Sequence, residues 1–241
     1  MNTTIPRPKR FQWPKAIPRL DPEQQRIYDD FIRQWLEVVP QRYQRIERFN
    51  HGYALRTLPE ARPFRTLELG AGIGAHVAFE DLLVQDYHAI EARPNAAKAL
   101  RQRFPLVHTV VGDCQYALPY DDAFFDRVVV VHVLEHLPDL PSCLDQVHRV
   151  LKPGGILSVV LPCDPGLLYE IARKISAERL FRKRYGISYR WLARREHINS
   201  PREVLSVLRR RFVETQRSYY PFAIPIANLN LCIGSTWRKP T

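Results

Sequence analysis

The sequence predicts a doubly wound α/β fold: a seven-stranded, mostly parallel sheet with a helical N-terminal cap and a helical insertion between strands five and six. Three observations predict it. From residue 66 onward, short apolar runs alternate with helical patterns, which is how successive βαβ units read. The first run breaks into glycines at three alternate positions, Gly70, Gly72 and Gly74. After Pro162 the alternation stops, and residues 164–200 turn basic, aromatic and helical in pattern.

Taken in order, residues 1–20 are rich in Pro, Arg and Lys and read as an extended arm. Asp21-Pro22-Glu23 is a helix start, with Asp as N-cap and Pro in the first turn. Tyr28, Phe31, Ile32, Trp35, Leu36 and Val39 recur at helical spacing, and Pro40 should end or interrupt that helix. A second helix over 42–49 completes a cap that precedes Asn50-His51-Gly52-Tyr53. Strands are expected at 66–69, 87–91, 107–111, 126–133 and 156–161. Between them come a helix closing at Leu82 and Leu83, helices over 96–104 and 141–151, and a turn at Pro153-Gly154-Gly155. A helix over 201–211 and strands over 212–217 and 229–237 finish the sheet. The organisation that follows is an arm and cap over 1–62, a core over 63–163, a lid or substrate insertion over 164–200, and a closing helix and two strands over 201–241.

Composition bounds the function. Hydrophobic residues make up 45% and aromatics 11% of 241 residues, enough for a packed core and against general disorder. No apolar run reaches the roughly 18 residues that span a bilayer, and Met1-Asn2-Thr3-Thr4 opens no signal-peptide pattern, so a cytoplasmic location is expected. Cys114, Cys143, Cys163 and Cys232 are scattered without a C-x-x-C pair and read as reduced thiols. The histidines lack ligand spacing, so no metal site is expected and catechol-type magnesium chemistry is disfavoured. A net charge of +11 is compatible with nucleic acid, an anionic substrate or simply a basic surface.

The stretch Glu68-Leu69-Gly70-Ala71-Gly72-Ile73-Gly74-Ala75 reads as a nucleotide-cofactor loop. Glycines let the backbone turn tightly and approach a ligand that a Cβ would exclude. A helix starting just beyond would add free N–H groups. Taken alone the loop is ambiguous, because Gly70, Gly72 and Ala75 also fit G-x-G-x-x-G/A, with Glu91 following at about the 20 residues expected of a dinucleotide site.

Four stretches together resemble the class I S-adenosylmethionine-dependent methyltransferases. They are the Glu68–Gly74 loop, Glu91 closing strand two, Gly112-Asp113 closing strand three, and Val133-Leu134-Glu135-His136-Leu137 followed by Leu151-Lys152-Pro153-Gly154-Gly155. The last pair is similar to the small-molecule branch that includes quinone and sterol methyltransferases. The resemblance covers roughly residues 64–162 and implies a Rossmann-like core that binds S-adenosyl-L-methionine and releases S-adenosyl-L-homocysteine. It implies that Glu91 binds both ribose hydroxyls and Asp113 the adenine amino group, both charge-assisted. Glu68 would orient the methionine amino group. Gly70, Ala71, Gly72, Gly74, Ala92, Gly112, Cys114 and His132 would complete the cofactor contacts.

For the acceptor, position matters more than residue type, because a base is needed only where the nucleophile must lose a proton. His136, after strand four, and His197, in Glu196-His197-Ile198-Asn199, are the catalytic candidates. Tyr169, Arg173, Tyr185, Trp191, Glu196 and Asn199 are the candidates for substrate contact. Most of the insertion reads equally as a solvated basic surface, and Asn199 or Ser200 also suits capping of the helix that starts at Pro201. The expected partner is a small-molecule acceptor such as a nitrogen heterocycle, a sugar or another secondary metabolite, as in uncharacterised bacterial methyltransferases of surface-sugar metabolism. The expected chain is a monomer or homodimer. An RNA or DNA substrate is disfavoured, since strand four leads into His-Val-Leu-Glu-His rather than N/D-P-P-Y/F. A non-catalytic cofactor-binding scaffold is the remaining alternative.

Overall fold

The structure is a computed structural model that describes residues 11–241, with backbone alone over 35–42. The first half of the expected arm and the side chains of Trp35, Leu36 and Val39 thus lie outside the described residues. The elements are α1 (Pro22–Arg42), α2 (Gln44–Gly52), β1 (Phe64–Leu69), β2 (Gln85–Glu91), α3 (Pro94–Arg103), β3 (His108–Val111), β4 (Phe125–Val131), α4 (Leu140–Val150) and β5 (Leu151–Pro162). Then come α5 (Leu167–Ile175), α6 (Ala177–Tyr185), α7 (Arg190–Glu196), α8 (Pro201–Leu208), β6 (Val213–Tyr220) and β7 (Cys232–Arg238).

Capping explains two helix starts. Asp21 Oδ1 accepts from Gln24 N at 2.8 Å while the Gln24 side chain accepts from Asp21 N at 3.2 Å, a reciprocal box at the head of α1. Ser200 and Glu203 make the same arrangement at the head of α8, so Ser200 rather than Asn199 is that cap. Pro40 does not end α1. Lying in the last turn it removes only one hydrogen bond, and the helix runs on to Arg42 before breaking at Tyr43.

The seven strands lie in the order β3-β2-β1-β4-β5-β7-β6, all parallel except β7, which is antiparallel to both neighbours. Strand order therefore reverses between β1 and β4. Leu69 is in register with Ile90 of β2 and Val130 of β4, so the carboxyl ends of these three strands open side by side. Such a switch point is where doubly wound sheets bind ligands.

Alternation along the strands separates two faces. Leu67, Leu69, Val128, Val130, Leu157 and Val159 pack with Leu140, Leu144 and Val147 of α4 and with Val204 and Leu208 of α8. On the other face Tyr87 and Ala89 pack with Leu100 of α3, and Val160 and Cys232 with Phe49 of α2 and Tyr53. A separate cluster joins the cap to the insertion: Phe31 of α1 with Ala177 and Phe181 of α6 and Leu192 of α7. The four cysteines are free and buried.

Two local expectations fail for physical reasons. Pro153-Gly154-Gly155 is not a separate turn but an irregularity inside β5, where pairing jumps from Phe125–Leu151 to Arg127–Ile156. Gly154, at φ +72°, supplies the conformation this needs. More consequentially, no α-helix connects β1 to β2. In place of the helix expected to close at Leu82 and Leu83 stands one 3₁₀ turn, Val77–Phe79.

The missing helix follows from what the second sheet face presents there. Thr66 and Glu68 of β1 and Arg127 of β4 are all buried and polar on that face, where an amphipathic helix would lay an apolar stripe. Glu80 and His76 come down instead. Arg127 Nη1 lies 2.9 Å and His76 Nε2 2.8 Å from the same Glu80 Oε1. Both contacts are poorly aligned as hydrogen bonds and act mainly through charge. Arg127 Nη2 also donates to Ala54 O at 3.0 Å, and Gln85 Nε2 to Glu80 Oε2 at 3.0 Å.

Candidate functional site

A cleft of about 570 Å³ opens at the carboxyl ends of β1, β2, β3 and β4, lined by Gly70, Glu91, Ala92, Gly112, Asp113, Cys114 and His136 among others. Its residues come from the turns that follow the strands, because the parallel register brings those turns to one edge of the sheet. Gly70 has φ +67°, and a Cβ there would stand 2.4 Å from Val133 Cγ2, so a side chain is excluded both by conformation and by the wall opposite.

Glu91 is buried, and both of its carboxylate oxygens already accept from the protein. Oε2 accepts from Gly72 N at 2.8 Å, and Oε1 from Arg93 N at 2.9 Å and Arg93 Nε at 2.8 Å. Burial pushes the carboxyl up, but the Arg93 and Gly72 hydrogen bonds outweigh it and hold the group below its ordinary range. Asp113 is held by Gln115, whose N and Nε2 both donate to Oδ1, at 2.9 and 3.0 Å, with Nε2 also reaching Oδ2 at 3.0 Å. Gln115 Oε1 in turn accepts from Asp139 N at 2.7 Å, tying the β3 turn to the start of α4.

Other expected cofactor residues stand elsewhere. Glu68 does not line the cleft. It is buried on the second sheet face, accepts from Tyr87 Oη at 2.9 Å, and is pushed up chiefly by burial. Ala71 packs with Val77 and Leu100. Gly74, at φ +87°, clears the Phe104 ring and Leu100, which a Cβ would meet at 2.5 and 2.8 Å. Gly72 meets the site only through its N–H to Glu91. His132 is one of the few non-glycine residues in the left-handed region, at φ +54°, a strained conformation that turns the chain sharply off β4.

Beside the cleft lies a cluster assembled from β4, β5 and the insertion. Glu135, 2% exposed, has Oε1 3.1 Å from His132 Nδ1 and 3.8 Å from His136 Nε2. His136 Nδ1 donates to Glu196 O at 2.5 Å, and His197 Nδ1 to Asp164 Oδ2 at 2.7 Å. Arg173 Nη1 reaches the same Asp164 oxygen at 3.4 Å, and the rings of Tyr169 and His136 lie 5.8 and 5.2 Å from that of His197. Burial, and then Asp164, push the Tyr169 hydroxyl well up. Of the expected acceptor residues, the fold thus brings together His136, His197, Tyr169, Arg173 and Glu196.

It separates the others. Tyr185 and Trp191 pack with Phe31 and Phe181 and do not line the cleft, and Tyr185 Oη donates to Asp30 at 2.7 Å. Asn199 is buried and structural: Nδ2 donates to Leu134 O and Leu137 O at 2.9 and 2.7 Å, and Oδ1 accepts from Trp13 Nε1 at 3.1 Å. The fold also assembles a candidate ligand set that the sequence spacing did not suggest. Glu135, His136 and His197 each offer a donor atom within 4.8 Å of the others, although 61 positions of sequence separate the two histidines. Local ligand spacing could not reveal a set that the fold assembles.

Sequence reasoning missed Pro14 and Ile17, which cover the cleft from the arm, and Gln115, Tyr116 and Asp139 around Asp113. The arm is held by Lys15, whose N donates to Pro138 O at 2.9 Å and whose Nζ meets Ile198 O at 2.7 Å and Glu203 Oε1 at 2.5 Å. Nothing in a Pro- and Lys-rich segment signals that placement.

Two carboxyls here set an acid limit on stability. Burial pushes the Glu135 carboxyl up, but the His132 hydrogen bond and the charges of His136, His132 and His197 bring it down to about 2. Glu80 is likewise brought to about 2, burial being outweighed by His76 and Arg127. Both lie below their ordinary value of 4.5, so their contribution is full above about pH 4.5 and is lost as pH falls from there toward 2. Melting temperature should drop steeply across that window, and Glu135→Gln should flatten part of the slope. An unchanged slope in the variant would show that Glu135 does not carry it.

Comparison with known proteins agrees with this geometry. A family model described as a methyltransferase domain matches residues 67–159. The chain is 31% identical over 135 residues to a demethylmenaquinone methyltransferase of Shouchella clausii, covering 53% of this chain and 55% of that protein. It is 26% identical over 144 residues to the sterol 4-C-methyltransferase strm-1 of Caenorhabditis elegans, covering 54% and 42%. It thus spans about half the length of these relatives. Among solved structures, a TehB-like SAM-dependent methyltransferase of Corynebacterium glutamicum superposes with TM-score 0.60 at 16% identity, covering 91% of this chain and all of that one. The N-methyltransferase NodS of Bradyrhizobium japonicum, in complex with S-adenosylhomocysteine, gives 0.57 at 18%, covering 82% and 87%. Residues 67–159 thus match a methyltransferase domain, and the solved structures share the overall fold described above.

Proposed function

We propose that this chain transfers a methyl group from S-adenosyl-L-methionine to a nitrogen or oxygen of a small molecule. The observation that carries the reading is that Glu91, Asp113 and His136 line one cleft at the switch point of the sheet. In this reading Glu91 accepts from the ribose hydroxyls and Asp113 from the exocyclic amine. Gly70, Ala92, Gly112 and Cys114 supply backbone along the cofactor, whose sulfonium points toward His136.

The acceptor enters from the side of His197, Tyr169 and Arg173, with residues 164–200 as its cover. The methyl carbon passes in line to the acceptor atom while the S–C electron pair stays on sulfur. Alignment at near contact supplies much of the acceleration. A carboxylate-flanked histidine such as His136 can receive a proton where the acceptor carries one. The relatives named for quinone and sterol methylation, and NodS for N-methylation, favour a small acceptor over a macromolecule.

Titration calorimetry with S-adenosylhomocysteine, with NADH as control, tests the cofactor half. Micromolar or tighter binding of S-adenosylhomocysteine alone is expected. Binding of NADH instead, or of neither by folded protein, overturns the reading.

A further inference from the structure

The acceptor side of the cleft holds more chemistry than methyl transfer requires. We propose that Glu135, His136 and His197 bind a divalent transition-metal ion, and that this ion holds a hydroxyl of the acceptor. The second clause rests on the methyl-transfer reading; the first does not.

Hydrogen bonding fixes which ring nitrogens are free. The carbonyl of Glu196 and the carboxylate of Asp164 can only accept, so Nδ1 of His136 and of His197 carry the protons. In the neutral rings both Nε2 atoms therefore present lone pairs. This is the usual outer support of a metal-bound histidine, whose second nitrogen donates to a carboxylate or a backbone carbonyl.

The carboxylate is incomplete in a matching way. Glu135 is 2% exposed, and its Oε2 is buried without a hydrogen-bond partner. The histidines around it engage Oε1 and leave Oε2 with acceptor capacity that nothing fills. The three donors lie within 4.8 Å of one another. Three ligands held about 2.1 Å from a tetrahedral ion stand roughly 3.4 Å apart, so the widest pair must close by up to about 1.4 Å, a side-chain rotation rather than a backbone shift.

Two imidazoles and one carboxylate suit Fe²⁺, Co²⁺, Ni²⁺ or Zn²⁺ better than Mg²⁺ or Ca²⁺, which prefer all-oxygen shells. Three protein ligands leave positions open for an exogenous oxygen. The His136 side chain is 37% exposed and lines the cleft, which gives the ion and the acceptor a path in. An ion there would lower the pKa of a bound hydroxyl, whose proton leaves to solvent. The resulting oxyanion would take the methyl carbon as the S–C pair stays on sulfur. A vicinal diol or a catechol, able to chelate through two oxygens, is the acceptor class this favours.

A second triad, Asp86, His88 and His108, must be silenced in any test. His88 and His108 are register partners on β2 and β3, and both Nε2 atoms lie near Asp86 Oδ1, at 3.1 and 3.3 Å. The experiment is titration of chelator-stripped protein carrying His88→Asn and His108→Asn with Co²⁺, read by its visible absorption and by calorimetry. One ion per chain is expected. His197→Ala should weaken binding about a hundredfold and Asp164→Asn, which keeps all three ligands, about tenfold. Circular dichroism checks the fold, and if His197→Ala unfolds, Asp164→Asn decides.

Absence of binding in the silenced background, or binding indifferent to these substitutions, overturns the proposal. Parallel titration of the stripped protein with S-adenosylhomocysteine separates the two readings. Cofactor binding without Co²⁺ binding sinks the ion alone, and loss of cofactor binding sinks the methyltransferase assignment.

Discussion

Arg127→Met should destabilise the fold by about 3–5 kcal/mol, the cost typical of leaving one member of a buried ion pair uncompensated. Arg127 is 0% exposed and stands at the middle of the sheet, 2.9 Å from Glu80, whose same oxygen also lies 2.8 Å from His76 Nε2. Methionine fills most of the volume, so the loss is electrostatic rather than a cavity. It also orphans the Ala54 carbonyl. Urea unfolding of the single variant, of Glu80→Gln and of the pair measures the coupling directly. The double variant should recover much of the single loss, because both charges leave together. A single-variant loss below about 1 kcal/mol would mean that Glu80 is neutral or hydrated in the fold.

Glu91→Ala should weaken S-adenosylhomocysteine binding by about a hundredfold or more. In the proposed binding mode two hydrogen bonds to a carboxylate are removed, each contributing about 1.5–3 kcal/mol when charge-assisted. The same carboxylate also holds Gly72 N and Arg93, so part of the loss comes from a relaxed glycine loop. Glu91→Gln separates the contributions. It keeps one acceptor oxygen but removes the charge, and should fall between the two. Calorimetry giving wild-type affinity for Glu91→Ala would remove this residue from the cofactor site.

What the sequence made legible is what local pattern encodes. Apolar runs predict all seven strands, and the chemistry at their carboxyl ends singles out Glu91 and Asp113, because a strand delivers its last residue to a predictable edge. Glu68 shows the limit. It sits one residue before an apolar position in the same motif, yet strand alternation turns it to the opposite face, into a buried network that no local pattern reveals. Tyr185 and Trp191 fail for another reason: aromatic residues in a basic helix look alike whether they meet a ligand or a second helix. Here Phe31, about 150 residues away, takes them.

The missing helix between β1 and β2 bears on the ambiguity of the glycine loop. Dinucleotide sites of this fold seat a doubly charged pyrophosphate on the positive end of a helix macrodipole, equivalent to about half an elementary charge. Behind Gly70, Gly72 and Gly74 this chain has one 3₁₀ turn of three residues and no such dipole. The adjoining wall carries two carboxyls, Glu91, paired with Arg93, and Asp113. The loop therefore has the steric freedom of a nucleotide site without the helix dipole that would draw a pyrophosphate to it.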